Sequence, residues 1–314
     1  MELRVLKYFL AVAREENITA AAEKLHVTQP TLSKQLMDLE EELGKKLFIR
    51  GKRKITLTEE GIFLKKRAAE IVELANKTES EIKMYDDIVG GEIYIGGGET
   101  ESMYFIAQTI KNLTIKYPQI RFHMFSGNGE DVEERLDKGL IDFGVFVGLI
   151  DLKKYSYLKL KTFDTWGLLM RKDCPLAQNK TISPKDIDKI PILCSRQALI
   201  QNELAGWLGY SFDKLNIIGT YNLIYNASVM VDEGIGCALA IDELINTTGN
   251  SRLCFRPLEP EIKADTIIAW KKTKLFQNQQ KSFLSIYRRG FPQNKTTPKS
   301  HSNKAVISAY LITF

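Results

Sequence analysis

The chain has 314 residues, 44% hydrophobic and 26% charged, with a formal net charge of +5. At about 150 residues per domain this length predicts roughly two domains, and the composition excludes collagen-like, mostly disordered and small disulfide-stapled proteins. No run reaches the ~18 apolar residues that span a bilayer, and Glu2, Arg4, Lys7 and Arg14 scatter charge through the N-terminus, which does not read as a secretory signal. A cytoplasmic chain with no membrane partner is expected. Cys174, Cys194, Cys237 and Cys254 stand far apart without a C-x-x-C pair, so they read as buried apolar residues in a reducing compartment. His26, His123 and His301 are too few to favour a metal centre or a His-based catalytic triad, and neither a metal nor a cofactor is expected. The small charge excess does not argue for nucleic acid by itself; its distribution has to.

Leu3, Leu6, Phe9, Leu10 and Ala13 recur at helical spacing. Thr19 is expected to cap a short second helix through Ala20–Leu25, followed by a tight His26–Val27 connection. Thr28 can cap a third helix, with Pro30 in the first turn where no intrahelical donor is needed. Leu32, Leu36, Leu39 and Leu43 form its buried stripe, and Gln29, Thr31, Ser33, Lys34 and Gln35 mark the start of the opposite face. Two short helices and a tight turn describe a helix-turn-helix, whose second helix reaches base edges and phosphates from its N-terminus. Residues 45–54, KKLFIRGKRK, follow with six cations and no acid. A turn at Gly51 between LFIR and KITLT reads as a wing, its cations beside the duplex backbone.

Segment 19–61 resembles the winged helix-turn-helix of LysR-type transcriptional regulators. The features are the alanine-rich second helix, T-Q-P-x-L-S at 28–33, L-E-x-x-L-G-x-x-L-F-x-R at 39–50 and L-T-x-x-G at 57–61. The resemblance implies DNA contacts from Thr28, Gln29, Pro30, Thr31, Ser33 and Lys34 in the major groove and from Arg50, Lys52 and Arg53 in the wing. Lys34, where many relatives carry Arg, favours a phosphate contact over a bidentate one to guanine.

From Thr58, a plausible N-cap, Leu64, Ala68, Ile71, Ala75, Thr78, Ile82, Tyr85 and Val89 alternate steps of four and three. Such a seam predicts a long helix pairing with a second copy, Lys65, Lys66, Glu70, Glu73, Lys77 and Glu81 lying outside the seam and exposed; an amphipathic helix packed on its own domain is the alternative. Gly90–Gly91 ends it.

Beyond Gly91, strands are expected at 92–96, 120–125, 142–147, 166–171, 191–195, 216–220, 237–241 and 265–271. Helices are expected through Tyr104–Leu113 and at 130–139, 184–189, 199–208, 224–234 and 276–289. Repeated strand–helix units predict a parallel-rich α/β architecture with helices on both faces. RLDKGLIDFGVFVG, LLMRKDCPLA and VDEGIGCALA resemble blocks of the LysR effector domain. The resemblance implies an α/β effector domain of two Rossmann-like subdomains, type 2 periplasmic-binding-protein-like, preceded by an all-α winged helix-turn-helix and a long linker helix. The expected division is a DNA-binding domain at 1–58, a linker and dimerisation helix at 59–90 and an effector domain at 91–291. Its subdomain I comprises 91–162 and 264–291, its subdomain II 163–263; a tail at 292–314 is expected to be disordered.

Open α/β folds bind ligands at the C-terminal ends of strands, beside helix N-termini. Four loops qualify, offering Thr100 and Ser102 from the first, Gly148 from the second, Ser195, Arg196 and Gln197 from the third, with Arg196 the best candidate to clamp an anionic group, and Tyr221 and Asn222 from the fourth. The family's first effector-contacting hydroxyl falls at or near Thr100 by resemblance. Glu99 and Glu101 read first as charges stabilising the first turn of their own helix. The functional expectation is a regulator that binds double-stranded promoter DNA as a homodimer or homotetramer, answers a small-molecule effector and acts on RNA polymerase. An enzyme is the competing class, disfavoured by scarce histidines and the lack of a G-x-S-x-G elbow. A ligand-binding transport protein suits the two lobes and not the N-terminal helices.

Overall fold

The computed structural model describes residues 1–51, 54–83, 90–148, 150–201, 204–209 and 214–290. Helices α1 (Leu3–Glu15), α2 (Ile18–Lys24) and α3 (Gln29–Leu43) form the N-terminal unit with a two-stranded antiparallel ribbon, β1 (Phe48–Arg50) and β2 (Ile55–Leu57). Its core gathers Val5, Leu6, Phe9, Val12, Ala21, Leu32, Leu36, Leu39 and Leu47. The buried face of α1 thus runs through Val5 and Val12, while Leu3 is exposed. Leu43, expected inside, is exposed because α3 ends there at Gly44, whose φ of +64° caps it in the left-handed region. Asn17, not Thr19, caps α2, accepting Ala20 N–H at 3.1 Å. Thr28 caps α3 as expected, accepting Thr31 N–H at 3.4 Å.

Helix α4 (Glu59–Lys83) begins where Thr58 accepts Gly61 N–H at 3.0 Å and donates to Lys46 O at 2.7 Å. A Cβ at Gly61 would stand 2.1 Å from Leu47 O, so only glycine lets α4 approach this closely. Leu64 and Ala68 enter the N-terminal core, whereas Ile71 and Ile82 are exposed. Tyr85 and Val89 lie outside the described residues.

The rest is one mixed sheet with helices against it. Its first block contains β3 (Gly91–Gly97), α5 (Met103–Lys116), β4 (Ile120–Ser126), α6 (Gly129–Asp137) and β5 (Phe143–Val147), with β3 parallel to both β4 and β5. Then come β6 (Tyr155–Arg171), α7 (Pro184–Ile187), β7 (Ile192–Ser195), α8 (Arg196–Gln201), α9 (Ala205–Leu208), β8 (Ile217–Tyr221), α10 (Ile224–Asp232) and β9 (Cys237–Ile241). In this second block β7 is parallel to both β8 and β9. Strands β10 (Leu253–Pro257) and β11 (Lys263–Lys271) and helix α11 (Asn278–Gly290) complete the chain.

Strands β6 and β11 run between the blocks. β6 pairs antiparallel with β11, β9 and β10 in turn, and β11 also pairs antiparallel with β5. Two parallel blocks therefore hang on two antiparallel crossing strands. Sequence periodicity caught only residues 166–171 of the 17-residue β6 and missed β10, since KLKTFDT and the turn-rich approach to Leu253 offer no clean alternation. The expected helix at 199–208 is instead α8 and α9, starting earlier at Arg196. Among the described residues no helix is long and apolar enough to cross a membrane. The tail at 292–314 lies outside the described residues.

Candidate DNA interface and effector cleft

At the start of α3, Thr28, Gln29, Pro30, Thr31 and Lys34 are exposed and Ser33 is half-buried. The helix N-terminus thus projects amides, hydroxyls and a cation together, with Thr28 and Thr31 hydroxyls 2.8 Å apart. The turn before it depends on His26, whose φ is +54°, in place of the usual glycine. Glu40, nearly buried on the other face, fixes the wing to this helix: Oε1 accepts Leu47 N–H at 2.8 Å and Phe48 N–H at 3.2 Å, and Lys46 reaches Oε2 at 2.9 Å. Burial opposes its charge, yet those donors win and hold the carboxyl below the ordinary range.

The wing is less cationic than its sequence. Lys45 faces Glu60 at 3.5 Å, Lys46 faces Glu40, and Lys54 faces Glu16 at 3.0 Å. Arg50 lies on β1; Lys52 and Arg53 lie outside the described residues. Gly51 N–H donates to Lys54 O at 3.0 Å, closing the ribbon.

The charged flank of α4 is not free as expected. Lys77 is buried and pairs with Asp142 at 2.8 Å, Glu70 pairs with Lys138 at 2.7 Å, and Glu73 pairs with Arg135. The seam periodicity was legible, but nothing in it signals that the opposite flank docks on α6 and the approach to β5.

Between the two parallel blocks lies a cleft of about 660 Å³, open mouth included. Val145, Phe146, Val147, Trp166, Ile241 and Leu244 supply its apolar wall, and Glu99, Asn128, Ser195, Gln197 and Asn222 its polar groups. Of the sequence-expected effector residues, Ser195, Gln197, Tyr221 and Asn222 line it; Thr100, Ser102, Gly148 and Arg196, the expected anion clamp, do not. Thr100 is buried behind it, donating its hydroxyl to Asp164 Oδ2 at 2.7 Å and accepting Ser102 N–H at 3.0 Å. Ser102 is buried too, Gly148 N–H donates to Asp265 O at 3.0 Å, and Arg196 is exposed at the start of α8. Tyr221 lines the cleft with its hydroxyl already committed, donating to Leu239 O at 2.5 Å, and burial pushes its pKa up.

Sequence reading missed Asn128 and Trp166 and misjudged Glu99. Asn128 follows a strand and caps α6, so the rule used for the other loops would have found it. Trp166 opens the recognised stretch of β6, 166–171, but candidate cleft residues were sought only in the loops after strands. Glu99 does not stabilise its own helix: its Oε2 accepts Ile224 N–H at 2.6 Å, at the start of α10. Among the described residues no cluster of ligands suits a metal ion.

Residues 3–62 match the bacterial regulatory helix-turn-helix protein, lysR family, and residues 87–292 match the LysR substrate binding domain. The chain is 29% identical over 283 residues to the Hca operon transcriptional activator HcaR of Escherichia coli (strain K12), covering 88% of this chain and 93% of that protein. It is 28% identical over 305 residues to YvbU, an uncharacterized HTH-type transcriptional regulator of Bacillus subtilis (strain 168), covering 93% and 99%. The fold matches full-length CbnR complexed with its target DNA, with a TM-score of 0.67 at 20% identity over 92% of this chain and 99% of that one. Full-length BenM matches with a TM-score of 0.52 at 26% identity, over 94% and 100%. With the helix-turn-helix model matched first and the substrate-binding model after it, the chain belongs to the LysR family of DNA-binding transcriptional regulators with an effector-binding domain, not to an enzyme family.

Proposed function

We propose that the chain reads double-stranded promoter DNA in the cytoplasm as a homodimer or homotetramer, and that a small metabolite in the cleft changes how the paired reading heads lie on the duplex. The observation that carries this is the exposed cluster of Gln29, Thr31 and Lys34 at the N-terminus of a capped helix, flanked by the wing. Gln29 and Ser33 are assigned to base edges, Thr28, Thr31 and Lys34 to phosphates and the groove wall, Pro30 to shaping the first turn, and Arg50, Lys52 and Arg53 to the wing's backbone contacts. The exposed seam residues Ile71 and Ile82 support pairing of α4 with a second copy, since an apolar row at heptad spacing needs a cover. Ion pairs from Glu70, Glu73 and Lys77 to the effector block support coupling of that block to the linker helix. Altered spacing of the heads would change DNA bending and access for RNA polymerase.

Ser195, Gln197 and Asn222 remain effector contacts in this reading; Asn128 and Glu99 join them, and Thr100 serves as a support through Asp164. Footprinting of the region upstream of the adjoining operon, with metabolites added singly, tests it. Protection over an interrupted inverted repeat that changes length with one metabolite is the expected result; no protection at low ionic strength would overturn it.

A further inference from the structure

Two side chains cross the cleft in opposite directions. Glu99, on the loop after β3, accepts Ile224 N–H at 2.6 Å; Gln197, on α8 after β7, accepts Gly129 N–H at 2.7 Å. Each acceptor sits on the first N–H of a nine-residue helix in the opposite block, α10 in one case and α6 in the other. The topology makes this a pseudo-symmetric pair: β3 and β7 are the central parallel strands of their blocks, and α6 and α10 follow their equivalent neighbours β4 and β8. The pair matches in place and differs in charge, an amide on one side and a carboxylate on the other.

That difference sets the electrostatics of the cleft. Among the described residues, no Lys, Arg or His lines it, and Glu99 is its one acid. The α10 N-terminus, which would otherwise attract an anion, is already occupied by the Glu99 carboxylate. An incoming anion would lose its hydration, meet a fixed like charge and find no cation to pair with among the described lining residues. An ammonium, or a neutral N–H or O–H donor, instead finds an acceptor in the same carboxylate, and an apolar body finds Trp166, Phe146 and Val147.

Resting on the reading that this cleft holds the effector, we propose that Glu99 makes it select an uncharged or cationic apolar molecule with a hydrogen-bond donor over an anionic one of the same shape. Benzylamine, benzyl alcohol and benzoate share one ring and differ in charge, so they serve as probes. Calorimetric titration of each into the full-length protein, up to tens of millimolar, is expected to rank benzylamine or benzyl alcohol at least tenfold above benzoate. Glu99→Gln, which keeps an acceptor for Ile224 N–H, should shrink that ratio about tenfold; Gln197→Glu, which adds a second carboxylate, should widen it. The two variants move the ratio in opposite directions, so a general loss of folding cannot imitate the result. Equal or preferred binding of benzoate, or a ratio indifferent to Glu99→Gln, overturns the charge selection and leaves the regulator reading standing. Binding of none of the three overturns both the selection and the cleft assignment, while DNA protection by the same preparation is scored separately.

Discussion

Lys77 Nζ lies 2.8 Å from Asp142 Oδ1, and both side chains are almost wholly removed from water, at 4% and 0% exposure. Lys77 belongs to the linker helix and Asp142 to the turn before β5, so one ion pair joins DNA-binding and effector halves. Lys274 shares the same carboxylate oxygen, and Oδ2 accepts Tyr94 N–H at 2.8 Å. Burial alone would raise the Asp142 pKa, but attraction to Lys77 and Lys274 outweighs it and the net direction is down. Asp142→Asn is expected to destabilise the protein by roughly 3–5 kcal/mol, because two lysines then face a neutral amide. Lys77→Met should cost less, since Lys274 still neutralises the aspartate. Because the folded pKa is depressed, the stabilisation is complete above the ordinary aspartate value of 3.8 and is lost as pH falls through the folded value. Urea unfolding of both variants from pH 3 to 7 checks this. Equal stability of Asp142→Asn and the parent at neutral pH would count against the linkage.

Asp164 has the opposite sign. It is buried, and desolvation raises its pKa despite hydrogen bonds donated by Thr100 and Thr266. The folded state therefore holds its proton more tightly than the unfolded chain, and stability falls as pH rises from 3.8 through the elevated folded value. Asp164→Asn should remove this slope, so its stability relative to the parent improves as pH rises from about 4 towards 7. Thr100→Val removes a donor to the buried carboxylate and is expected to cost about 1–3 kcal/mol. Thermal or urea unfolding distinguishes this from the sequence-based expectation of direct effector contact: a Thr100→Val protein of parental stability with abolished ligand binding would restore that expectation.

The contrast between Thr100 and Glu99 shows where sequence reading ran out. The location of the loop, after a strand and before a helix, was legible because strand–helix alternation forces it. Which of two adjacent side chains turns to the cleft was not, because that depends on Asp164 and Ile224, 64 and 125 positions away from Thr100 and Glu99 respectively. The same limit explains Lys77: seam periodicity gives the apolar side of a helix, but a lysine opposite it reads as solvated until its distant carboxylate is placed. The recognition helix was legible in detail since Thr28, Pro30 and the leucine stripe act locally. The wing's charge was overestimated because Glu16, Glu40 and Glu60, all outside the cationic run itself, neutralise three of its cations.

Glu40 couples recognition helix to wing through two backbone N–H groups and Lys46. Glu40→Ala leaves those buried donors unmet, and a loss of about 1–3 kcal/mol is expected, together with weaker DNA binding as the ribbon loosens. Glu40→Gln keeps an acceptor and should retain most of the stability while losing the charge. Amide exchange at Leu47 and Phe48 reports the coupling directly. Unchanged protection of both in Glu40→Ala would show that the wing is held by its apolar contacts with Phe9 instead.

With three wing lysines paired to acids, electrostatic attraction to the duplex is expected to come from fewer groups than the sequence suggests. Lys34→Ala and Arg53→Ala should each weaken binding to specific and random duplexes alike and reduce the salt slope of log K by about 1. Lys54→Ala should change that slope less, since Glu16 already neutralises this cation at 3.0 Å. Gln29→Ala should behave differently from all three: a loss of roughly 1–3 kcal/mol confined to the cognate sequence, with random duplex affinity and salt slope retained. Fluorescence anisotropy across a salt series with cognate and scrambled duplexes separates the two behaviours. A Lys54→Ala slope change as large as that of Lys34→Ala would mean that the Glu16 pair opens on DNA, and a Gln29→Ala loss shared equally by scrambled duplex would remove that residue from base reading.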